Sequence, residues 1–152
     1  MKFYKKLLKL AIVISVLLTI TACTTNKSYT FNIETGDAIK IKLDTTGDYT
    51  LSEDSGRFSV GKGDEEVLQG IFITKEAYEQ YQGIKDLAEA KVIADAEKDG
   101  NTYFFYELEG ESGTENNFVL WIKDSNTGLI LGSLSGEETA KEAFERLTIT
   151  LE

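Results

Sequence analysis

The stretch TYFFYELEGESGTENNFVLWIKDSNTGLILGSL, residues 102–134, contains three apolar segments separated by polar turns. Thr102 to Leu108 and Phe118 to Lys123 place large apolar side chains on both faces, which is typical of buried strands. Asp124 to Gly128 is a turn signal that joins the second of these strands to Leu129–Leu134. A sheet with two apolar faces needs cover on both, so we expect this meander to lie inside the fold.

Helical patterns occur before and after this meander in the chain. Glu137 to Leu147 has apolar residues at helical spacing and acidic residues in its first turn, which favours a helix. Lys75 to Gln82 follows Thr74, a favourable N-cap residue, and presents one apolar face. Thr148 to Leu151 is predicted to end the chain as a short strand or an extended tail.

The rest of the chain shows strand patterns. Lys91 to Glu97 is predicted to be a strand, because Lys98-Asp99-Gly100 is a hairpin signal leading into the aromatic strand. Thr30 to Ile73 contains short alternating segments separated by turns rich in Gly and Asp. Residues 28–152 have a normal size for one core, so we expect a single domain.

The order of these elements resembles the PsbP-like superfamily. The resemblance covers Lys91 to Leu151 and consists of the Asp99-Gly100 hairpin, the strand Thr102–Leu108, the hairpin Phe118–Leu134 and the helix Glu137–Leu147. It implies an α+β fold, in which helices cover both faces of an antiparallel meander as an α-β-α sandwich. It implies no active site. The alternative fold is a small lipocalin-like β-barrel.

The first 22 residues have the pattern of an export signal, with a basic start, a short apolar run and small residues before a cleavage site. The tetrad Ile20-Thr21-Ala22-Cys23 resembles a bacterial lipobox. That resemblance implies cleavage after Ala22 and a diacylglyceryl anchor on the sulfur of Cys23. Residues 23–27 are then a lipidated N-terminus and a short linker, and the domain is held at the outer face of the cell membrane, or at the outer membrane of a diderm.

Composition excludes several function classes. The chain has no histidine, and Cys23 is its only cysteine. A Ser-His-Asp triad, a Cys-His pair and a thiolate metal site are therefore impossible once Cys23 is lipidated. We expect no cofactor and no metal. Without the four signal lysines, 12 basic face 26 acidic side chains, a balance of −14 that argues against nucleic acid as a partner.

Few residues are candidates for a binding site. Tyr103, Phe105 and Trp121 are the candidate lining of an aromatic ligand groove, although core packing is the simpler interpretation. Asp124 to Gly128 looks like part of a calcium loop, but Ser135 stands where the loop needs a bidentate glutamate. The acidic residues from Glu107 to Glu115 are typical of a solvated loop.

The sequence therefore predicts a membrane-anchored, extracytoplasmic lipoprotein that acts as a non-enzymatic binding or adaptor domain. Its predicted partners are membrane lipid, through Cys23, and another envelope protein. The alternative is a small-ligand carrier that uses the aromatic groove. A third hypothesis is a carboxylate-based hydrolase, which needs two acids about 5–10 Å apart in a cleft.

Overall fold

The computed structural model describes residues 25–152, which form ten strands, two α-helices and one short 3-10 helix. In chain order the elements are β1 (Asn26–Asn32), β2 (Ala38–Asp44), β3 (Tyr49–Asp54), β4 (Arg57–Lys62), β5 (Glu65–Thr74), α1 (Lys75–Gln82), the 3-10 helix (Gly83–Asp86), β6 (Lys91–Lys98), β7 (Asn101–Gly110), β8 (Gly113–Trp121), β9 (Thr127–Ser133), α2 (Glu137–Glu145) and β10 (Leu147–Leu151). The predicted signal peptide and the lipobox lie outside the described residues.

The strands form two antiparallel sheets. The larger sheet has seven strands in the order β3-β4-β5-β9-β8-β7-β6, and the smaller has three in the order β1-β2-β10. In the smaller sheet β10 pairs with β2, so that Ile149 lies opposite Ile41. The last residues of the chain therefore complete a sheet that the first described residues begin.

The three-stranded sheet covers one face of the seven-stranded sheet, which we call the inner face. Ile39, Ile41 and Leu43 alternate along β2 and are fully buried, because they point toward the larger sheet. Phe105 and Phe118 meet them from the larger sheet in the same apolar cluster. This cluster is the main core of the protein.

The two helices pack on opposite faces of the seven-stranded sheet. On the inner face, the ring of Phe144 in α2 stacks on Phe118, with 4.2 Å between ring centroids. On the outer face, Tyr78 of α1 packs against Trp121 at 5.0 Å. The hydroxyl of Thr74 accepts a hydrogen bond from the backbone N–H of Ala77, so the predicted N-cap and the predicted start of α1 are confirmed.

The fold prediction is wrong in its architecture. Strands hold 59% of the described residues and helices only 16%, so the protein is mostly β and is not an α-β-α sandwich of the PsbP-like type. The apolar inner face is covered largely by a second sheet, and among residues 25–152 α2 is the only helix that packs on this face. The alternative, a lipocalin-like β-barrel, is not observed either, because the strands form two separate sheets.

Side chains from the β6–β7 hairpin donate hydrogen bonds to backbone carbonyls on the edge of β10 that does not pair with β2. The Lys98 ammonium donates to the carbonyl of Leu147 at 2.6 Å, and the side-chain amide of Asn101 donates to the carbonyl of Ile149 at 2.8 Å. Asn101 is buried, and its amide oxygen accepts from the backbone N–H of Lys123. These bonds join the two sheets where they meet along β10.

Candidate functional site

The predicted aromatic groove residues do not lie together. Phe105 is buried on the inner face and stacks on Phe118 at 4.1 Å, and Tyr103 on the same face packs edge-on against Phe144 at 4.9 Å. Trp121 lies on the outer face beneath α1. Because neighbouring strand residues point to opposite faces, these three side chains line no common cavity.

Burial also affects the protonation of Tyr103, one of the predicted groove residues. It raises the pKa of the Tyr103 phenol above its ordinary value, and the nearby carboxylate of Glu145 adds to this effect. The phenol therefore stays protonated at neutral pH. Tyr103 acts as a packing residue in this structure.

A different surface has the geometry of a binding site. It is a groove of about 550 Å³ lined by three chain segments, Phe31–Thr35, Ser55–Arg57 and Ile71–Thr74. The first segment is the end of β1 and its turn, the second is the β3–β4 turn, and the third is the end of β5. We call this surface the β5 groove.

Aromatic rings support the β5 groove from below. The ring of Phe31 lies 5.1 Å from that of Phe72 and 6.0 Å from that of Phe58. Phe31 and Phe58 are buried, so this cluster belongs to the core and gives the groove a rigid base. Ile71 points to the face of β5 opposite to Phe72, and its side chain, which is 42% exposed, lies at the rim of the groove.

Two charged residues line the β5 groove. Glu34 lies in the β1–β2 turn and Arg57 begins β4. The guanidinium of Arg57 makes no hydrogen bond and no ion pair with any residue from 25 to 152. Arg57 and Ile71 also line a second groove of about 220 Å³, so the two grooves adjoin at these two residues.

A partly buried polar cluster fixes one wall of the β5 groove. The Asp37 carboxylate accepts from the hydroxyl of Thr127 at 2.6 Å, from the backbone N–H of Asn126 at 2.8 Å and from the hydroxyl of Thr35 at 3.3 Å. Asp37 follows the groove segment in the β1–β2 turn, whereas Thr127 begins β9. The cluster therefore ties the turn that carries Glu34 to the larger sheet.

The hydrogen bond from Thr127 holds the pKa of the Asp37 carboxyl below its ordinary value, and the bonds from Asn126 and Thr35 act in the same direction. A carboxyl whose folded pKa is lowered stabilises the fold above its unfolded pKa of about 3.9, and this contribution is lost as the pH falls through the lower folded value. The polar cluster should therefore weaken only in acid.

We expect Thr127→Val to lower the free energy of unfolding by about 1 kcal/mol at neutral pH, because a nearly isosteric side chain removes the hydroxyl that the buried position supplied. The difference from the unchanged protein should shrink below about pH 4, as Asp37 becomes protonated. Urea denaturation at several pH values measures both effects. Thr102→Val is the matched control, and a pH-independent difference for Thr127→Val contradicts this role of Asp37.

The prediction of a solvated acidic loop from Glu107 to Glu115 is wrong for most of its residues, because Glu107 and Glu109 lie in β7 and Glu115 lies in β8. Within residues 25–152 there is no group of three or more carboxylates arranged to hold a metal ion. Glu115 lines a separate groove of about 270 Å³ together with Glu66 and Asn117. The predicted turn at Asp124–Gly128 contributes Asn126 and Thr127 to the Asp37 cluster.

Sequence patterns did not identify the β5 groove, although one signal was present. Gly70 to Thr74 reads GIFIT, in which three consecutive apolar residues occupy both faces of a strand that has cover on only one of them at this point. The three segments come together only through the sheet order, which no local pattern contains.

Comparisons with known proteins give no relative. No protein-family model matches the chain, and no curated protein matches it significantly. Among residues 25–152, no helix has the length and apolar character needed to cross a membrane.

Proposed function

We propose that the protein is an exported, lipid-anchored binding domain without catalytic activity, and that the β5 groove is its binding surface. The lipobox-like tetrad ending at Cys23 supports the anchor and the extracytoplasmic location. The absence of histidine from the sequence and the use of its only cysteine for the anchor support a non-enzymatic role.

The observation that carries this proposal is the β5 groove of about 550 Å³, which has the rings of Phe31 and Phe72 at its base. Binding sites commonly combine apolar walls with a small number of polar groups that fix orientation. Here Arg57 and Glu34 supply opposite charges at the groove, and Thr35 and Thr74 supply hydroxyl groups. The continuation into the second groove favours an extended segment of a protein partner as the occupant.

A small-ligand carrier is the second candidate. The volume of the β5 groove falls within the range of about 300–1,000 Å³ that small-molecule sites occupy. This carrier would use Phe72 and Ile73, and not the aromatic residues Tyr103 and Trp121 that the sequence suggested.

Site-specific photocrosslinking in the expressing cells tests the binding surface. A benzoylphenylalanine at Ile71 should form a discrete crosslinked product, whereas the same residue at Leu87 should not. Leu87 is a matched control because it is 49% exposed, is also a large aliphatic residue and does not line the groove. Equal products at both positions, or none at Ile71, contradict the proposal.

The mass of the Ile71 product separates the two candidates. Addition of a polypeptide, with the crosslink mapped to a segment rich in apolar residues, supports the adaptor function. Addition of a few hundred daltons supports the carrier, because that is the mass of a molecule that fits a site of this volume.

A further inference from the structure

The described chain is held in the fold from its first residue onward. The carbonyl of Thr25 accepts a hydrogen bond from the backbone N–H of Thr45 at 2.8 Å, and β1 begins at Asn26. Strand pairing then starts at once, with Asn26 opposite Asp44. The linker predicted at residues 23–27 is therefore already part of the fold from Thr25 onward.

Two turns and one helix end lie around Thr25. The backbone N–H of Asp44 donates to the carbonyl of Arg146, and the N–H of Gly63 donates to the carbonyl of Asp48. The Arg146 guanidinium also donates to the carbonyl of Thr46 at 2.8 Å. We call this surface, made of Thr25, Asn26, residues 44–48, residues 63–64 and Arg146, the anchor end.

We propose that the anchor end lies against the membrane leaflet and that the β5 groove faces the aqueous phase. This inference rests on the proposed lipid anchor at Cys23. Only Thr24 lies between Cys23 and Thr25 in the sequence, and the two residue steps from Cys23 to Thr25 span at most about 7 Å when extended. A tether this short holds the bonded turns of the anchor end at the headgroups.

The position of the β5 groove follows from the length of β1. Phe31, the first groove residue, is five residues beyond Asn26, which at about 3.3 Å per residue places it roughly 17 Å farther along the strand. Glu34 and the rest of the β1–β2 turn lie beyond Phe31 at that end of the smaller sheet. An occupant must therefore arrive from the aqueous side, as a water-exposed segment of an envelope protein does, and a lipid that remains in the leaflet does not reach the groove.

Charge does not explain the orientation. The anchor end and its edges carry both signs, with Lys27, Lys62 and Arg146 near Asp44 and Asp48. The exposed ion pairs of this region contribute little attraction to a neutral surface. The length of the tether is therefore the determinant, and the orientation should persist on vesicles of phosphatidylcholine.

Two matched cysteine variants test the orientation in the full lipidated protein. Asp64→Cys lies at the anchor end and Glu34→Cys at the β5 groove, and each replaces an exposed acidic residue in a turn. The engineered thiol is the only free one, because the sulfur of Cys23 carries the anchor. Each thiol receives a fluorophore, and the phosphatidylcholine vesicles contain a lipid with a nitroxide on its headgroup.

We expect the headgroup nitroxide to quench the fluorophore at Asp64→Cys strongly and to leave the one at Glu34→Cys near its value in nitroxide-free vesicles. Equal quenching at both positions, stronger quenching at Glu34→Cys, or no quenching at either on vesicle-bound protein overturns the orientation. Flotation with the vesicles is measured on the same samples, and Cys23→Ser should not float. If the unchanged protein also fails to float, the anchor itself is refuted and the orientation falls with it.

A variant with a longer tether tests whether the short tether is the cause of the orientation. Twelve Gly and Ser residues inserted between Thr24 and Thr25 add a flexible segment with a mean reach of roughly 20 Å. Quenching at Asp64→Cys should then fall toward the level at Glu34→Cys, while flotation is unchanged. If quenching at Asp64→Cys does not fall, the short tether is not the cause of the orientation.

Discussion

Phe118→Ala is expected to lower the free energy of unfolding by about 3–5 kcal/mol, the range measured for large aromatic residues removed from a core. Phe118 is 1% exposed, and its ring stacks between those of Phe105 at 4.1 Å and Phe144 at 4.2 Å. This column joins β7, β8 and α2, so the truncation leaves a cavity that neither neighbour can fill without moving. α2 should lose much of its attachment to the inner face.

Urea denaturation followed by tryptophan fluorescence measures this loss. Leu134→Ala is the control, because Leu134 is 62% exposed and its truncation should change stability by no more than about 0.5 kcal/mol. A change at Phe118 as small as the change at Leu134 would show that the aromatic column is not central to the core.

Gly70→Ala is expected to destabilise the fold by about 1–3 kcal/mol or more, although it adds a single methyl group. The Cβ built at Gly70 overlaps the ring of Phe58, which lies opposite it across the β4–β5 pair. The ring cannot move away freely, because Phe31 and Phe72 pack against it at 6.0 and 6.1 Å. The β5 groove should be disturbed as well, since Phe31 and Phe72 line it.

Gly83→Ala is the matched control for Gly70→Ala. Gly83 ends α1 with ordinary right-handed helical backbone angles, and no atom lies within 4 Å of an added Cβ. Its replacement should be neutral or slightly stabilising. In a double-mutant cycle, Phe58→Leu should cost less in the Gly70→Ala background than alone, because the smaller side chain makes room for the methyl group. Additive losses would contradict steric overlap as the cause.

Local patterns in the sequence predicted individual elements well. α1 was predicted with its observed bounds, and its N-cap Thr74 was identified from residue type alone. The aromatic strand also appears where the apolar alternation placed it, but its hairpin partner was predicted as Phe118–Lys123 and is observed as Gly113–Trp121. These signals are local, because they depend on residues within one helix turn or one strand.

The arrangement of the elements was beyond such patterns. The inner face needed cover, and the sequence pointed to helices, whereas the structure uses β1, β2 and β10. The pairing of Ile41 with Ile149 joins residues more than a hundred positions apart, and nothing near either residue indicates the other. The prediction failed here because contacts between residues far apart in the sequence decide which elements cover the inner face.

The candidate site was missed for a related reason. Tyr103 and Trp121 were grouped because both are aromatic, but the register pairs Trp121 with Thr102 and so places it on the other face. A shift of one residue along a strand moves a side chain to the opposite face of the sheet, and this difference is enough to keep Trp121 out of a groove with Tyr103. The β5 groove likewise depends on two turns and a strand end that meet only after the sheets have formed.

The bonds along β10 affect how copies of the protein meet one another. An unpaired strand edge is a template on which a neighbouring copy can extend the sheet into an aggregate. The carbonyls of Leu147 and Ile149 are already occupied by Lys98 and Asn101 of the same chain. An incoming strand would have to displace both donors, so this edge is a poor template for extension of the sheet.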